Sequence, residues 1–450
     1  MMRMRHLIHI VSFLAFLYTG MFLNVAFGGT GSVDETENRA LAPFPVWSGT
    51  ALLSGTYLQA LENYLADHVA FRDRLVRASK LLTSWRGLAG SDATQIVASA
   101  ANNDAQSSGQ TVPEAGPDIE AAPSQPLPLP PSASPGPASK AAKPRRQEEG
   151  RVIGKVLLTG DRAMFLYSYN PAAGKAYAGV INAFQKQVAR RFADPVHVSV
   201  LLAPSAIEFV ENPALKGLSA SQEKAIAAVY EQIDPPVTKV EAVPFLREHA
   251  AEEVFFRTDH HWTATGAYYA YQAFMNARGL TPLPLSRYET EKVPGFLGSL
   301  YSATLNKKLA AHPDTIVLYK PFMQHEYVVY YQGPLKMKLL DKYHADKKNK
   351  YRIFLSGDRP WGKITTDAAY DRRIAVIKDS YGNAFIPFLL PHFKEIYVID
   401  PRQFHQPLYD FIEKHRIDEV LFITNMTITT SDGFTRLIYK LMDGDAKQPQ

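Results

Sequence analysis

The chain has 450 residues, 46% of them hydrophobic and 21% charged, with a formal net charge of +5. This is globular composition, long enough for one large domain or two smaller ones, and a mild basic excess without a basic stripe gives no reason to expect a nucleic-acid partner. The chain contains no cysteine, which excludes disulfides, thiolate-held zinc and a cysteine nucleophile, and is compatible with export.

An apolar run from Leu7 to Phe27 follows Arg3 and Arg5 and precedes Asp34, Glu35 and Glu37. A run of this length spans a bilayer, and the flanking charge places the N-terminus inside and the bulk of the chain outside. Small residues around Ala26-Phe27-Gly28 also suit a signal peptidase. We read residues 1–28 as a single-pass signal anchor, with a cleaved leader as the alternative; both export the rest. Next comes a Pro-punctuated extended segment, Glu37 to Pro45. Between Gly55 and Trp85, Leu58, Leu61, Tyr64, Leu65, Val69, Phe71 and Leu75 recur near helical spacing, so residues 29–97 are expected to be an extended segment plus helices packed on the main domain. Residues 98–150 are rich in Ala, Ser, Gln and Pro. Such a segment buries too little apolar surface to offset its ordering entropy and reads as a disordered, partly polyproline-like linker.

Residues 151–445 carry an α/β pattern. Val152–Leu158 and Val196–Leu202 read as strands, as do Ile374–Ile377, Glu395–Ile399 and Glu419–Thr424. Helices are expected at Ala172–Phe192, Ala220–Ile233, Ala384–Leu390 and Gln403–Lys414. This alternation predicts a mainly parallel sheet with helices on both faces. Residues 282–366 are irregular and rich in Tyr and Lys, and read as an insertion over the site.

The chemistry gathers in Arg257-Thr258-Asp259-His260-His261-Trp262-Thr263. Glu253–Phe256 before it reads as a short buried strand, and Thr263 reads as the N-cap of a helix running to Met275. An Asp two residues from a His can orient the imidazole and stabilise its charged form. The matching nucleophile is Ser380, in Lys378-Asp379-Ser380-Tyr381-Gly382-Asn383, where an apolar strand runs into a turn and a helix start. Both segments are expected to follow strands, and reactive groups gather at the carboxyl ends of strands in such sheets. A metal site and a structural hydrogen-bond cluster are the competing readings of the Asp-His-His group. Each half supplies what the other lacks, which favours nucleophilic catalysis.

Asp-His-His-Trp followed by a strand and Asp-Ser-Tyr-Gly-Asn resembles the DHHW family and the wider SGNH-hydrolase-like group that includes the alginate O-acetyltransferases. Further matching stretches are Glu37-Asn38-Arg39, Phe71-Arg72-Asp73, Phe296–Tyr301 and Asp418–Phe422, so the resemblance covers most of the chain outside the linker. The block order, Asp/His before Ser, is that of the acetyltransferase-like group. The resemblance implies a flavodoxin-like three-layer α/β domain with Asp259, His261 and Ser380 as a triad. In it, His261 would take the Ser380 proton and Asp259 would orient His261. Backbone N–H groups at Ser380 and through Gly382 and Asn383 would stabilise the oxyanion, each worth roughly 3 kcal/mol. Trp262 is expected either to wall the site or stack on a sugar, or to be a core residue; His260 is expected to be structural or a substrate contact. The implied acyl group is acetyl, the acceptor an extracellular polysaccharide, and the partner a membrane-bound O-acyltransferase that supplies acetyl from inside. This chemistry calls for no metal and no cofactor. An acetylesterase with the same triad and a non-catalytic polysaccharide-binding protein are the alternatives.

Overall fold

The computed structural model describes residues 150–331 and 333–443, the stretch 56–71, and scattered positions between 18 and 52. The expected linker at 98–150, apart from Gly150, lies outside the described residues, as does nearly all of Leu7–Phe27. Among the described residues no helix is long and apolar enough to cross a membrane. Of the helices expected before Trp85, Thr56–Asp67 is present, and residues past 71 lie outside the description.

A small antiparallel sheet opens the main domain, with strands β1 (Gly150–Ile153), β2 (Val156–Thr159) and β3 (Arg162–Phe165). The single strand expected over Val152–Leu158 is thus a hairpin. The Gly154-Lys155 pair reverses the chain, a break that the apolar residues on either side concealed.

Helix α1 (Pro171–Arg191) is capped by the Asn170 side chain and starts on a proline, the pairing that a helix N-terminus favours. Tyr177, Ile181, Phe184 and Val188 form its buried stripe. Next come β4 (His197–Ala203), α2 (Gln222–Tyr230), β5 (Thr238–Lys239) and α3 (Ala264–Ala277). The region expected to be an irregular insertion holds an antiparallel pair, β6 (Glu289–Phe296) with β7 (Asp314–Lys320). It also holds β8 (His325–Tyr330), β9 (Pro334–Met337) and β10 (Trp361–Thr366). The domain closes with β11 (Arg373–Lys378), β12 (Glu395–Ile399), α4 (Leu408–His415), β13 (Glu419–Asn425) and α5 (Gly433–Asp443).

The main sheet has eight strands in the order β9-β8-β10-β12-β11-β13-β4-β5. From β12 to β5 all neighbours are parallel; β10, β8 and β9 extend that edge antiparallel. The insertion therefore lengthens the sheet as well as covering the site. The layers follow from side-chain alternation. In β11, Ile374 and Val376 join one core with α3 and the 3-10 run Ile386–His392. Ala375 and Ile377 join the other core with α1, α2, α4 and α5. The helix expected over Ala384–Leu390 is only a turn, Gly382–Phe385, followed by that 3-10 run. Pro387 and Pro391 supply no N–H for α-helical bonds.

Candidate active site

The expected strand over Glu253–Phe256 is not a member of the sheet. Phe255 and Trp262 form a single antiparallel bridge. Phe256 N–H donates to the His261 carbonyl at 3.3 Å, and Thr263 N–H donates to Val254 O at 3.0 Å. Asp259, His260 and His261 thus ride on a tight loop pinched at its base, and Asp259 does not follow a sheet strand. The Phe-Phe pair is apolar because it is buried, which mimics a strand in sequence. Thr263 does cap α3: its hydroxyl accepts from Gly266 N–H at 3.1 Å and donates to Glu253 O at 2.6 Å.

Asp314 of β7 anchors the loop from outside. Its carboxylate accepts from Arg257 N–H at 2.9 Å, Thr258 N–H at 2.8 Å and the Thr258 hydroxyl at 2.6 Å. Burial pushes its carboxyl above the usual range against the pull of those bonds. Nothing local in the sequence points to Asp314. Gly298 packs directly on Asp259; a Cβ there would lie 2.3 Å from the Asp259 carboxylate.

Asp259, His261 and Ser380 form one hydrogen-bonded chain. Asp259 Oδ1 lies 2.6 Å from His261 Nδ1 and accepts from His261 N–H at 3.0 Å. Its Oδ2 accepts from Ser299 N–H at 2.8 Å. His261 Nε2 lies 2.7 Å from Ser380 Oγ. Burial alone would raise the Asp259 carboxyl, but His261 and His260 beside it hold it well below the usual carboxylate range. His261 is enclosed, its ring between Tyr351 and His260 with centroids 3.8 Å away on each side. Tyr351 also donates its hydroxyl to the Ser380 carbonyl at 3.1 Å. Sequence reading missed Tyr351; one Tyr in a Tyr-rich region carries no distinguishing signal.

His260 Nδ1 lies 2.6 Å from Ser299 Oγ, and the ring lines the cleft in front of Ser380. Burial first, and the neighbouring His261 second, push His260 down. It is therefore neutral at pH 7, although 31% of its side chain stays exposed. Trp262 is fully buried and donates Nε1–H to Tyr381 O at 3.0 Å. It belongs to the core, with no face open for a sugar to stack on.

Ser380 stands two residues past β11. Asp379 sets the turn: its carboxylate accepts from Tyr381 N–H at 2.9 Å and from Asn425 N–H at 2.6 Å. Burial pushes its carboxyl up. The oxyanion roles expected of Gly382 and Asn383 do not fit. Gly382 N–H donates to Asp379 O and Asn383 N–H to Ser380 O, both inside the turn. The Asn383 side chain is buried and donates to Asp358 at 2.9 Å. Gly382 is there for space: a Cβ would come within 2.7 Å of the Lys378 Cβ. Behind the turn, buried Lys378 reaches Asp358 at 2.6 Å and Asp400 at 3.7 Å. Arg402 closes that network on both carboxylates.

The chain of three groups opens onto a cleft of about 450 Å³ lined by His260, Ser380, Tyr381, Arg402 and Asn425 among others. Asp259, His260 and His261 can each bring one ligand atom within 4.8 Å of the others. Both nitrogens of His261 and both oxygens of Asp259 are already hydrogen-bonded, so a cation there would have to break the chain to Ser380.

Fold and site together define an α/β protein with helices on both faces of a mixed sheet and a carboxylate–imidazole–serine chain beside the sheet's carboxyl edge. A family model described as "DHHW protein" matches residues 139–399, over half of the chain. The protein belongs to the DHHW family. It is similar to the crystal structure of a DHHW family protein from Eubacterium siraeum, at 28% identity and a TM-score of 0.59 over 66% of this chain and 98% of that one. It also shares its fold with PatB1 of Bacillus cereus, at 19% identity and a TM-score of 0.52 over 64% of this chain and 99% of that one. No curated protein matches the chain.

Proposed function

We propose that this protein is an extracytoplasmic O-acetyltransferase that moves acetyl onto a cell-surface or secreted polysaccharide through a serine ester. The carrying observation is the unbroken chain from Asp259 through His261 to Ser380 Oγ, open to a cleft. In the first half-reaction His261 Nε2 takes the Ser380 proton, and Oγ attacks the acetyl carbonyl. His261 then returns the proton to the leaving group. In the second, His261 deprotonates a sugar hydroxyl, which attacks the acetyl-serine and releases Ser380. Asp259 fixes the tautomer and stabilises the imidazolium. Ser380 N–H donates to no described residue and is the oxyanion donor that the turn leaves open. In this reading residues 1–28 hold the domain at the outer face of the membrane, and a membrane-bound O-acyltransferase supplies the acetyl group.

The test uses a chromogenic acetyl ester as donor, with water and then an oligosaccharide as acceptor. Ser380→Ala and His261→Ala should each lower the rate on the order of a thousandfold, and the double variant should be little worse than either. Additive losses would mean that the base is misassigned. Acetylated sugar marks a transferase; release of free acetate alone marks an esterase.

A further inference from the structure

Arg402 lies at the boundary between two depressions. On one side is the cleft of Ser380. On the other is a groove of about 490 Å³ lined by Tyr330, Tyr331, Trp361, Gln403, His405 and Gln406, among others. That volume lies within the usual range for small-molecule sites. The guanidinium is fixed along one edge: Nε donates to Asp400 at 2.8 Å, and Nη2 donates to Asp400 at 2.5 Å and to Asp358 at 2.8 Å. Its Nη1 donates to no described residue.

We propose that this groove holds sugar rings of the acceptor chain beyond the ring being acetylated, with Arg402 hydrogen-bonding the chain where it passes from one depression to the other. The assignment rests on the acetyl-transfer reading of the cleft. Three observations point to a carbohydrate. The groove is lined by aromatic rings: Tyr330 and Trp361, cross-strand partners on β8 and β10, stack on each other at 3.9 Å with planes 6° apart. Tyr331 beside them is 76% exposed, so its ring is open to a ligand. The polar members are two amides, an imidazole and a guanidinium, with no carboxylate among the lining residues. Such a set suits hydroxyl groups. The groove also shares Arg402 with the triad cleft, so the two depressions meet at one side chain. The occupant is therefore an oligosaccharide segment, and the substrate is a polymer in preference to a free sugar.

The experiment uses the full-length Ser380→Ala protein, which binds without turnover. Di- and hexasaccharides of β-1,4-linked glucose, N-acetylglucosamine and hexuronate are titrated calorimetrically. At least one hexasaccharide should bind about tenfold more tightly than its disaccharide, and Tyr331→Ala in the same background should remove that gain. Hydrogen exchange at residues 330–331 and 360–361 should slow with that hexasaccharide, a readout that needs no groove variant. Equal affinity for short and long forms of all three sugars, or exchange unchanged at both segments, overturns the proposal. A protein that binds the long chain in this way but transfers no acetyl when Ser380 is present would overturn the functional reading and leave the groove standing.

Discussion

Tyr351 lies flat against His261, with ring centroids 3.8 Å apart and planes 8° apart. The same tyrosine bonds the carbonyl of Ser380, so one side chain sets both the plane of the proposed base and the position of the proposed nucleophile. Tyr351→Phe keeps the stack and loses one hydrogen bond; the expected cost in kcat is about tenfold. Tyr351→Ala removes the surface that holds the imidazole and should cost about a hundredfold or more. Steady-state kinetics with an acetyl ester separates the two. Equal losses would show that the ring plane does not matter.

Gly298→Ala should damage activity more than stability. The added methyl would collide with the Asp259 carboxylate. The aspartate must then move, and His261 with it. A displacement of about 1 Å at such a group costs on the order of a hundredfold in rate. The check is kcat alongside the thermal midpoint. A variant of full activity would mean that the loop yields without moving Asp259.

Stability should fall on acidification in two stages. His260 and His392 are both pushed down to about 4, in each case chiefly by burial. The unfolded chain then binds more protons than the folded one between about pH 6.5 and 4, so stability rises with pH across that window and is lost as pH falls through it. Asp259, held low in the fold, adds a second loss below about pH 4, where the unfolded carboxyl takes up its proton and the folded one does not. Thermal unfolding from pH 7 to 3 measures both. His392→Gln, which removes a ring bonded to Tyr271, should flatten the first stage. An unchanged slope in that variant would assign the first stage to other groups.

Lys378→Met should destabilise the fold by about 3 kcal/mol, the usual scale for removing one partner of a buried ion pair. Lys378 is 1% exposed and sits between Asp358 and Asp400. Without it, Arg402 alone faces both carboxylates. Urea unfolding gives the number. A loss under about 1 kcal/mol would mean that Arg402 suffices.

The parallel half of the sheet was readable in the sequence because β11, β12 and β13 are buried on both faces and so read as continuous apolar runs. The segments of Asp259, His261 and Ser380 stood out through residue type and motif. The antiparallel edge was not readable. β10 alternates between buried and half-buried positions and includes Gly362 and Lys363, so its composition says little about its partner. Phe255-Phe256 misled for the opposite reason, since burial in the main core produces the same apolar signature as a strand. Gly382 and Asn383 lie where oxyanion donors are expected, but the turn itself consumes their N–H groups, and no local pattern records that. The Lys378, Asp358, Asp400 and Arg402 network draws on three separate segments and is legible only in three dimensions.

The strand order draws the surroundings of the serine from distant parts of the chain. β4 and β11 are not neighbours; β13 lies between them and bonds to both. β13 also supplies the Asn425 N–H that holds Asp379 beside the serine. A chain emerging from the ribosome or from an export channel therefore carries Asp259, His261 and then Ser380 well before the strand that locks them together. Without residues 419–425, Asp379 lacks the Asn425 N–H bond that fixes it beside the serine. The surroundings of the serine are thus complete only when a strand some forty residues further along the chain has joined the sheet.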